Sequence, residues 1–205
     1  MDSSPISVRD AKKSEKKRRI EAAAIQVMAQ NGYHRTTVSQ IARAAGVADG
    51  TIYLYFENKD DLLLKTIDEI TERFIQDGIK ILATKDSPIE CLRMWARLHL
   101  ENLGSDENLA CIFQIELRHN VSLMKRFSET KLRKYFSYVE GYIHKAQDQG
   151  QVRTDINPWL AAKILFGALD EAATNWVLSN KDYDLVDMAE PTLDILLNGM
   201  LTHGS

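Results

Sequence analysis

Apolar residues in this chain recur every three or four positions, in segments divided by turn residues, and no strand-like alternation lasts beyond a few positions. That spacing predicts an all-α protein of about nine helices. The first covers residues 14–30, with Ile20, Ala23, Ala24, Val27 and Met28 inward, and Asn31-Gly32 ends it. Thr36 and Thr37 can cap a second helix that carries Val38, Ile41, Ala42 and Ala45 on one face. Gly46 permits a left-handed turn, and a third helix over residues 49–56 packs back through Val47, Ile52, Tyr55 and Phe56. A long helix over 58–82 aligns Leu63, Ile67, Ile70 and Phe74, with Gly78 softening it. Ser87-Pro88 opens another, which ends near residue 104. Residues 109–119 are apolar nearly all round, as in a buried helix. A charged helix covers 122–149 and Gly150 closes it. Asn157-Pro158 opens one that reaches about residue 178, and the last spans 185–201 with a kink or break expected at Pro191.

The second and third helices deserve a finer reading. A small residue at Ala42 lets two helices cross closely, Gly46 turns the chain, and Ile52 docks the third helix. The alternative is two ordinary helices joined by a glycine. The joint spacing, with a Tyr on the outer face, favours a helix-turn-helix whose second helix enters the DNA major groove. By periodicity Ile52, Phe56 and part of Leu54 face the core, while Asp49, Gly50, Thr51 and Tyr53 face forward.

Charge supports this division. The 205 residues carry a net charge of −3, yet residues 1–60 hold ten Lys and Arg against seven Asp and Glu, and residues 61–205 hold sixteen against twenty-two. A basic front and an acidic back suit a protein whose front alone meets phosphates, and they argue against a generic nucleic-acid coater. The cluster Lys12, Lys13, Lys16, Lys17, Arg18 and Arg19 is either a solvated helix end or a reach toward phosphate and minor groove. Cys91 and Cys111 read as buried thiols rather than a disulfide. The polar N-terminus has no signal-peptide core and no apolar run approaches a membrane span, so a cytoplasmic location is expected. The expected organisation is a disordered basic arm over 1–13, a helix-turn-helix domain over 14–58, and an effector-binding and dimerisation domain over 59–205.

The residues GVADGTIYLYFENKDDLL resemble the turn, recognition helix and fourth-helix entry of the TetR family of one-component bacterial repressors. QIELR at 114–118, LFGALDEAATNWVLSN at 165–180 and YDLV at 183–186 are similar to TetR-type regulators of fatty-acid degradation that respond to acyl-CoA. The resemblance implies a homodimeric repressor on a palindromic operator, released by a long-chain acyl-CoA, with no other cofactor and no metal. It implies that Asp49, Gly50 and Thr51 approach bases and that Tyr53 meets the backbone or a thymine methyl. It places Thr37, Tyr55 and Lys59 on phosphates and Ser39 at the groove edge; for Tyr55 a hydroxyl capping the small core is an equal reading. Many members carry a Ser and then a basic residue where this chain has Ala48 and Asp49. A carboxylate there accepts from a cytosine amino group, so G·C pairs are expected opposite Asp49.

In the rear domain, Trp95, Leu98, His99, Asn102 and Leu103 share a face, with Phe113 and Leu117 on the next helix and Tyr138 and Tyr142 beyond. Alone this pattern equally suits a plain core; with the resemblance it becomes an effector pocket, Arg118 and Arg133 being the first candidates for the CoA phosphates. Glu116 stands out as an acid on an apolar face. Ile164, Leu165, Ala168, Ala172 and Trp176, continued by Leu193, Leu196, Leu197 and Met200, form a stripe suited to a four-helix dimer interface. Effector would then favour a spacing of the two recognition helices that misses successive major grooves, with the fourth helix as lever.

Three other readings remain. An enzyme is disfavoured because five scattered His and two Cys show no metal spacing, and no nucleophile-elbow or phosphate-loop motif occurs. A TetR-type sensor of drugs or aromatic compounds controlling efflux would have a flat aromatic pocket. A DNA-bound protein acting on cell-division partners without an effector would have a filled rear domain.

Overall fold

The computed structural model describes residues 8–179 and 182–199, and among them the chain is helical. It forms two compact units, Met1–Ile67 and Asp68–Ser205.

In the first unit, α1 (Val8–Asn31), α2 (Val38–Ala45) and α3 (Asp49–Ile52) pack with the beginning of α4 (Lys59–Leu82). Helix α1 starts six residues before the expected position, so residues 8–13 are helical rather than a disordered arm. Ala, Lys and Glu between residues 11 and 17 are good helix formers, and Lys17 pairs with Glu21 one turn on, at 3.3 Å. Thr37 caps α2 in a reciprocal box with Gln40: the Thr37 side chain accepts from the Gln40 amide, and the Gln40 carboxamide accepts from the Thr37 amide. Thr36 instead is buried, its hydroxyl donating to the carbonyl of Gly32. Gly46 ends α2 at φ 63°, the left-handed conformation that favours glycine. Arg19 donates to the carbonyls of Ala45 and Gly46 at this helix end, at 2.5 and 3.3 Å.

Helix α3 is shorter than expected and stops at Ile52, after which residues 53–55 form a turn. The aromatic and β-branched run there has low helix propensity, and Phe56 is drawn inward instead. Leu54, expected to point partly inward, is 78% exposed. Ile20, Ala24, Met28, Ile41, Ala42, Ile52, Phe56, Leu62, Leu63 and Ile67 form the core of this unit. The unit boundary therefore lies within α4, nine residues beyond the expected one, because the first turns of α4 supply Leu62, Leu63 and Ile67 to that core.

The second unit contains the rest of α4, α5 (Pro88–Gly104), α6 (Glu107–Cys111), α7 (Val121–Phe127), α8 (Arg133–Asp148), α9 (Pro158–Leu178) and α10 (Ala189–Asn198). Two π-helical turns interrupt the expected rods: Ile112–Glu116 prolongs α6, and Ser128–Leu132 joins α7 to α8. Counting each continuous rod once gives nine helices among the described residues. Helix α4 runs unbroken through Gly78. Its missing side chain makes room for Trp95, whose ring lies 3.3 Å from where a Cβ would stand. Pro191 produces the expected break at the front of the last helix: a 3-10 turn, Leu185–Met188, precedes α10, and Pro191 sits in the first turn of α10, where no intrahelical N–H bond is lost. Cys91 is buried, Cys111 is half-buried, and no disulfide joins them.

Candidate functional site

The forward surface of the helix-turn-helix is built by α2 and α3. Ser39, Asp49 and Gly50 are exposed, Thr51 and Tyr55 are half-buried, and Tyr53 is 56% exposed. Such exposure of an aromatic ring beside Leu54 leaves an apolar edge next to polar groups, the surface expected of a groove reader. The Ser39 hydroxyl donates to the Asp49 carboxylate, tying the start of α3 to α2. The sequence reading placed these two residues at the groove but did not foresee their bond.

Lys59 is placed differently from the phosphate clamp that the resemblance implied. Its ammonium donates to the carbonyls of Tyr33 (2.7 Å) and Thr36 (2.9 Å) and lies 4.3 Å above the Tyr33 ring. Burial lowers its pKa. Neighbouring Asp60 accepts from the Tyr33 hydroxyl, and burial together with that bond holds the phenol protonated well above its usual range. Lys59 and Asp60 thus fasten α4 to the loop between α1 and α2. Three commitments for three ammonium protons leave Lys59 little for a phosphate; an i-to-i+26 contact of this kind has no signature in local spacing. Arg19 is likewise occupied by its carbonyls, while Lys12, Lys13, Lys16 and Arg18 are exposed. Thr37 spends its hydroxyl on the capping box, and its exposed position still borders the helix start.

Within the second unit lies a cavity of about 650 Å³, part of it open to solvent. Its wall is mainly apolar: Ile70 and Phe74 from α4, Leu103 from α5, Phe113 and Leu117, Met124 and Phe127 from α7, Leu132, and Phe166 from α9. Both π-helical turns contribute. The Leu117 amide bonds to the carbonyl of Ile112, five residues back, and this wider turn brings Phe113, Gln114 and Leu117 to one wall. Polar groups also line it: His99, Asn102, Gln114, Arg118, Tyr135 and Asp170, with Thr71 from α4.

Of the expected pocket residues, His99, Asn102, Leu103, Phe113, Leu117 and Arg118 line the cavity, whereas Trp95, Leu98, Arg133, Tyr138 and Tyr142 do not. Trp95 is fully buried in an aromatic cluster, edge-on to Phe74 and Tyr135 and stacked on Tyr138 at 6.0 Å. Leu98 is turned about 100° from His99 around α5. Arg133 is exposed just after the π turn that sends Leu132 inward. Tyr142 lies about 10 Å along α8 from Tyr135. Ile70, Thr71, Gln114, Met124, Phe127, Leu132, Tyr135, Phe166 and Asp170 were missed. Ile70 and Phe74 were already visible as an inward stripe on α4; Gln114 and Leu132 lie on the π turns, whose wider spacing a 3.6-residue period does not mark.

Arg118 bridges two elements. Its guanidinium pairs with Asp170 on α9 and donates to the Gln114 carboxamide at 3.1 Å, which also accepts from the Thr174 hydroxyl at 3.0 Å. Glu116, the acid singled out from the sequence, is half-buried and does not line the cavity. Nearby, Lys131 and Lys134 hold Glu72 of α4 at 3.0 and 2.5 Å, and these bonds keep its carboxyl down near 2.

On α9 and α10 the expected stripe divides. Leu165, Trp176, Leu193 and Leu197 are buried within the unit, and Ala168, Ala172 and Leu196 are half-buried. Ile164 is 50% exposed, with Leu160, Leu178 and Ile195 also on the surface. The stripe was read from periodicity, which marks an inward face without saying which of two partners lies opposite. Met200 lies outside the described residues.

Among the described residues no group of side chains could hold a metal ion, and no helix is long and apolar enough to cross a membrane. Residues 20–66 match the family described as bacterial regulatory proteins, tetR family, and residues 65–199 match the YsiA-like protein, C-terminal region. The chain is 37% identical over 179 residues to the fatty acid metabolism regulator protein of Bacillus subtilis, covering 87% of this chain and 92% of that one. Its fold is similar to the fatty acid degradation regulator FadR of Bacillus halodurans, with TM-score 0.86, 37% identity and coverage of 90% and 95%. It is also similar to the Bacillus subtilis FadR solved in complex with stearoyl-CoA, with TM-score 0.85, 37% identity and coverage of 91% and 99%.

Proposed function

Because the chain belongs to the TetR family of bacterial regulatory proteins, we propose that it is a homodimeric repressor of fatty-acid degradation genes, released from a palindromic operator by a long-chain fatty acyl-CoA. It acts by binding rather than by catalysis, in the cytoplasm. The observation that carries this reading is that 37% identity to a fatty-acid regulator extends over 179 residues, through the cavity unit as well as the DNA-binding unit. A mainly apolar cavity with a few polar groups in its wall suits a hydrocarbon chain ending in a polar head.

Ser39, Asp49, Gly50, Thr51, Tyr53 and Tyr55 meet the operator, and the exposed lysines of α1 supply phosphate contacts. Thr37 borders the groove as a cap, and Lys59 supports the surface from behind. Dimerisation uses the surface residues Leu160, Ile164 and Ile195 rather than the buried half of the stripe. Helix α4 carries Lys59 at one end and the cavity residues Ile70, Thr71 and Phe74 further along, so it is the natural lever. Effector and operator stabilise different members of one conformational equilibrium, and each weakens the other by the same factor.

The direct test is to select an operator from random duplexes and titrate the complex with palmitoyl-CoA. Release at micromolar acyl-CoA is expected, together with weaker acyl-CoA binding when operator is present. A complex that ignores acyl-CoA but dissociates with aromatic cations would replace this reading by that of a drug sensor. The five aromatic rings on the cavity wall, Phe74, Phe113, Phe127, Tyr135 and Phe166, are the observation favouring that second reading.

A further inference from the structure

Four rings from four helices meet on the cavity wall: Phe74 of α4, His99 of α5, Tyr135 of α8 and Phe166 of α9. His99 and Tyr135 are edge to face with centroids 5.6 Å apart. Phe166 packs against both, at 5.7 and 5.4 Å, and Phe74 stacks on Tyr135 at 6.2 Å. Both polar rings are buried, His99 being 9% exposed and Tyr135 4%. Yet His99 Nε2 has no hydrogen-bond partner among the described residues, and the Tyr135 hydroxyl, whose neighbour Trp95 offers only an indole N–H, has no acceptor for its proton. A buried polar atom left in this state destabilises the fold, so two of them side by side on a cavity wall call for a function.

The chemistry of the pair narrows what it can hold. Burial pushes the His99 pKa down to about 4 and the Tyr135 phenol above its usual range, so both are neutral at neutral pH. With His99 in the tautomer that carries its proton on Nε2, the imidazole N–H and the phenol O–H are two donors without charge. The nearest cation on the wall, Arg118, is held by Asp170 and Gln114, which leaves a buried carboxylate or phosphate without a counter-charge here. A neutral oxygen with two lone pairs, flanked by apolar groups, satisfies both donors.

We infer that His99 and Tyr135 form a two-donor seat for a neutral carbonyl oxygen, and that this oxygen is the thioester carbonyl of the acyl effector. The inference rests on the acyl-CoA reading and adds to it the atom that is recognised. A hydrocarbon chain then lies among apolar wall residues such as Phe113 and Phe127, with the carbonyl fixed by His99 and Tyr135. Such a seat discriminates by penalty: a ligand of the same shape that lacks the oxygen leaves both donors buried and unpaired.

The test compares palmitoyl-CoA with S-hexadecyl-CoA, the thioether in which the carbonyl is replaced by methylene, by titration calorimetry on the full chain. The native chain should bind the thioester at least about tenfold more tightly. Tyr135→Phe and His99→Leu should each reduce that ratio toward one, and His99→Gln, which keeps a donor, should restore part of it. Because the ligand pair is compared on the native chain, the test does not depend on any variant folding. Binding of both ligands within twofold of each other overturns the carbonyl seat while leaving the acyl-CoA reading intact. A tenfold preference that survives both Tyr135→Phe and His99→Leu also overturns it. Failure of both ligands to bind a chain that still binds operator overturns the acyl-CoA reading, and the seat with it.

Discussion

At the scale of the residue, the chain's most unusual group is His99. Protonating it places a charge in an aromatic cluster, with Asp170 as the opposing influence and Arg118 already paired to that acid. Its pKa in the fold, about 4, lies below the ordinary 6.5, so between those values the unfolded chain holds more protons than the folded one. Stability should therefore fall as pH drops from about 6.5 to about 4, by up to about 3 kcal/mol from this group alone. Urea midpoints measured across that range should slope less in His99→Gln than in the native chain; parallel slopes would contradict the assignment. Asp49 makes a second case. Held by Ser39, its carboxylate presents an acceptor at the groove, and operator selection with Asp49→Ala should lose a preference for G·C at one position of each half-site. Ser39→Ala should broaden the same position, since it removes the donor that orients the acid. What the sequence could not disclose at this scale was partnership. Lys59 and Arg19 look like phosphate ligands by charge, and only long-range contacts reveal that carbonyl oxygens already hold them.

At the scale of the element, two short features govern the DNA-binding unit: the box at Thr37 and the turn at Gly46. Thr37→Ala should cost about 1 kcal/mol, measured by thermal or urea unfolding, through loss of the cap. Gly46→Ala should cost at least as much, because φ of 63° is strained for any side chain and a Cβ would stand 3.1 Å from Arg19 Nη2. Both elements were legible in the sequence, since cap and turn are written in adjacent residues. Helix number, order and most boundaries were legible for the same reason. The short α3 and the early start of α1 were not, because competing local preferences decide where a helix frays. The π turns were hidden more deeply. A turn with bonds five residues apart leaves no mark in a 3.6-residue period, and Gln114 and Leu132, both on such turns, reach the cavity wall.

At the scale of the whole molecule, the surface of α9 and α10 bears on assembly. Introducing a charge at Ile164 or Ile195, as Ile164→Asp or Ile195→Asp, should shift sedimentation from dimer to monomer at micromolar concentration and weaken operator binding. An unchanged dimer would locate the interface elsewhere. Composition and charge had already divided the chain into a basic front and an acidic rear, but the sequence placed the division at the start of α4, and the helix is in fact shared. Leu62, Leu63 and Ile67 belong to the core of the front unit although they stand on a helix that ends at Leu82. A front fragment ending at residue 58 would therefore be born without a third wall and should be unfolded by circular dichroism, whereas one ending near residue 70 should be helical. The same sharing has a thermal consequence. Neither unit can melt without fraying a helix that the other needs, so heating should yield one calorimetric peak, and an effector bound among residues 70–170 should protect amide protons in residues 60–67 from exchange.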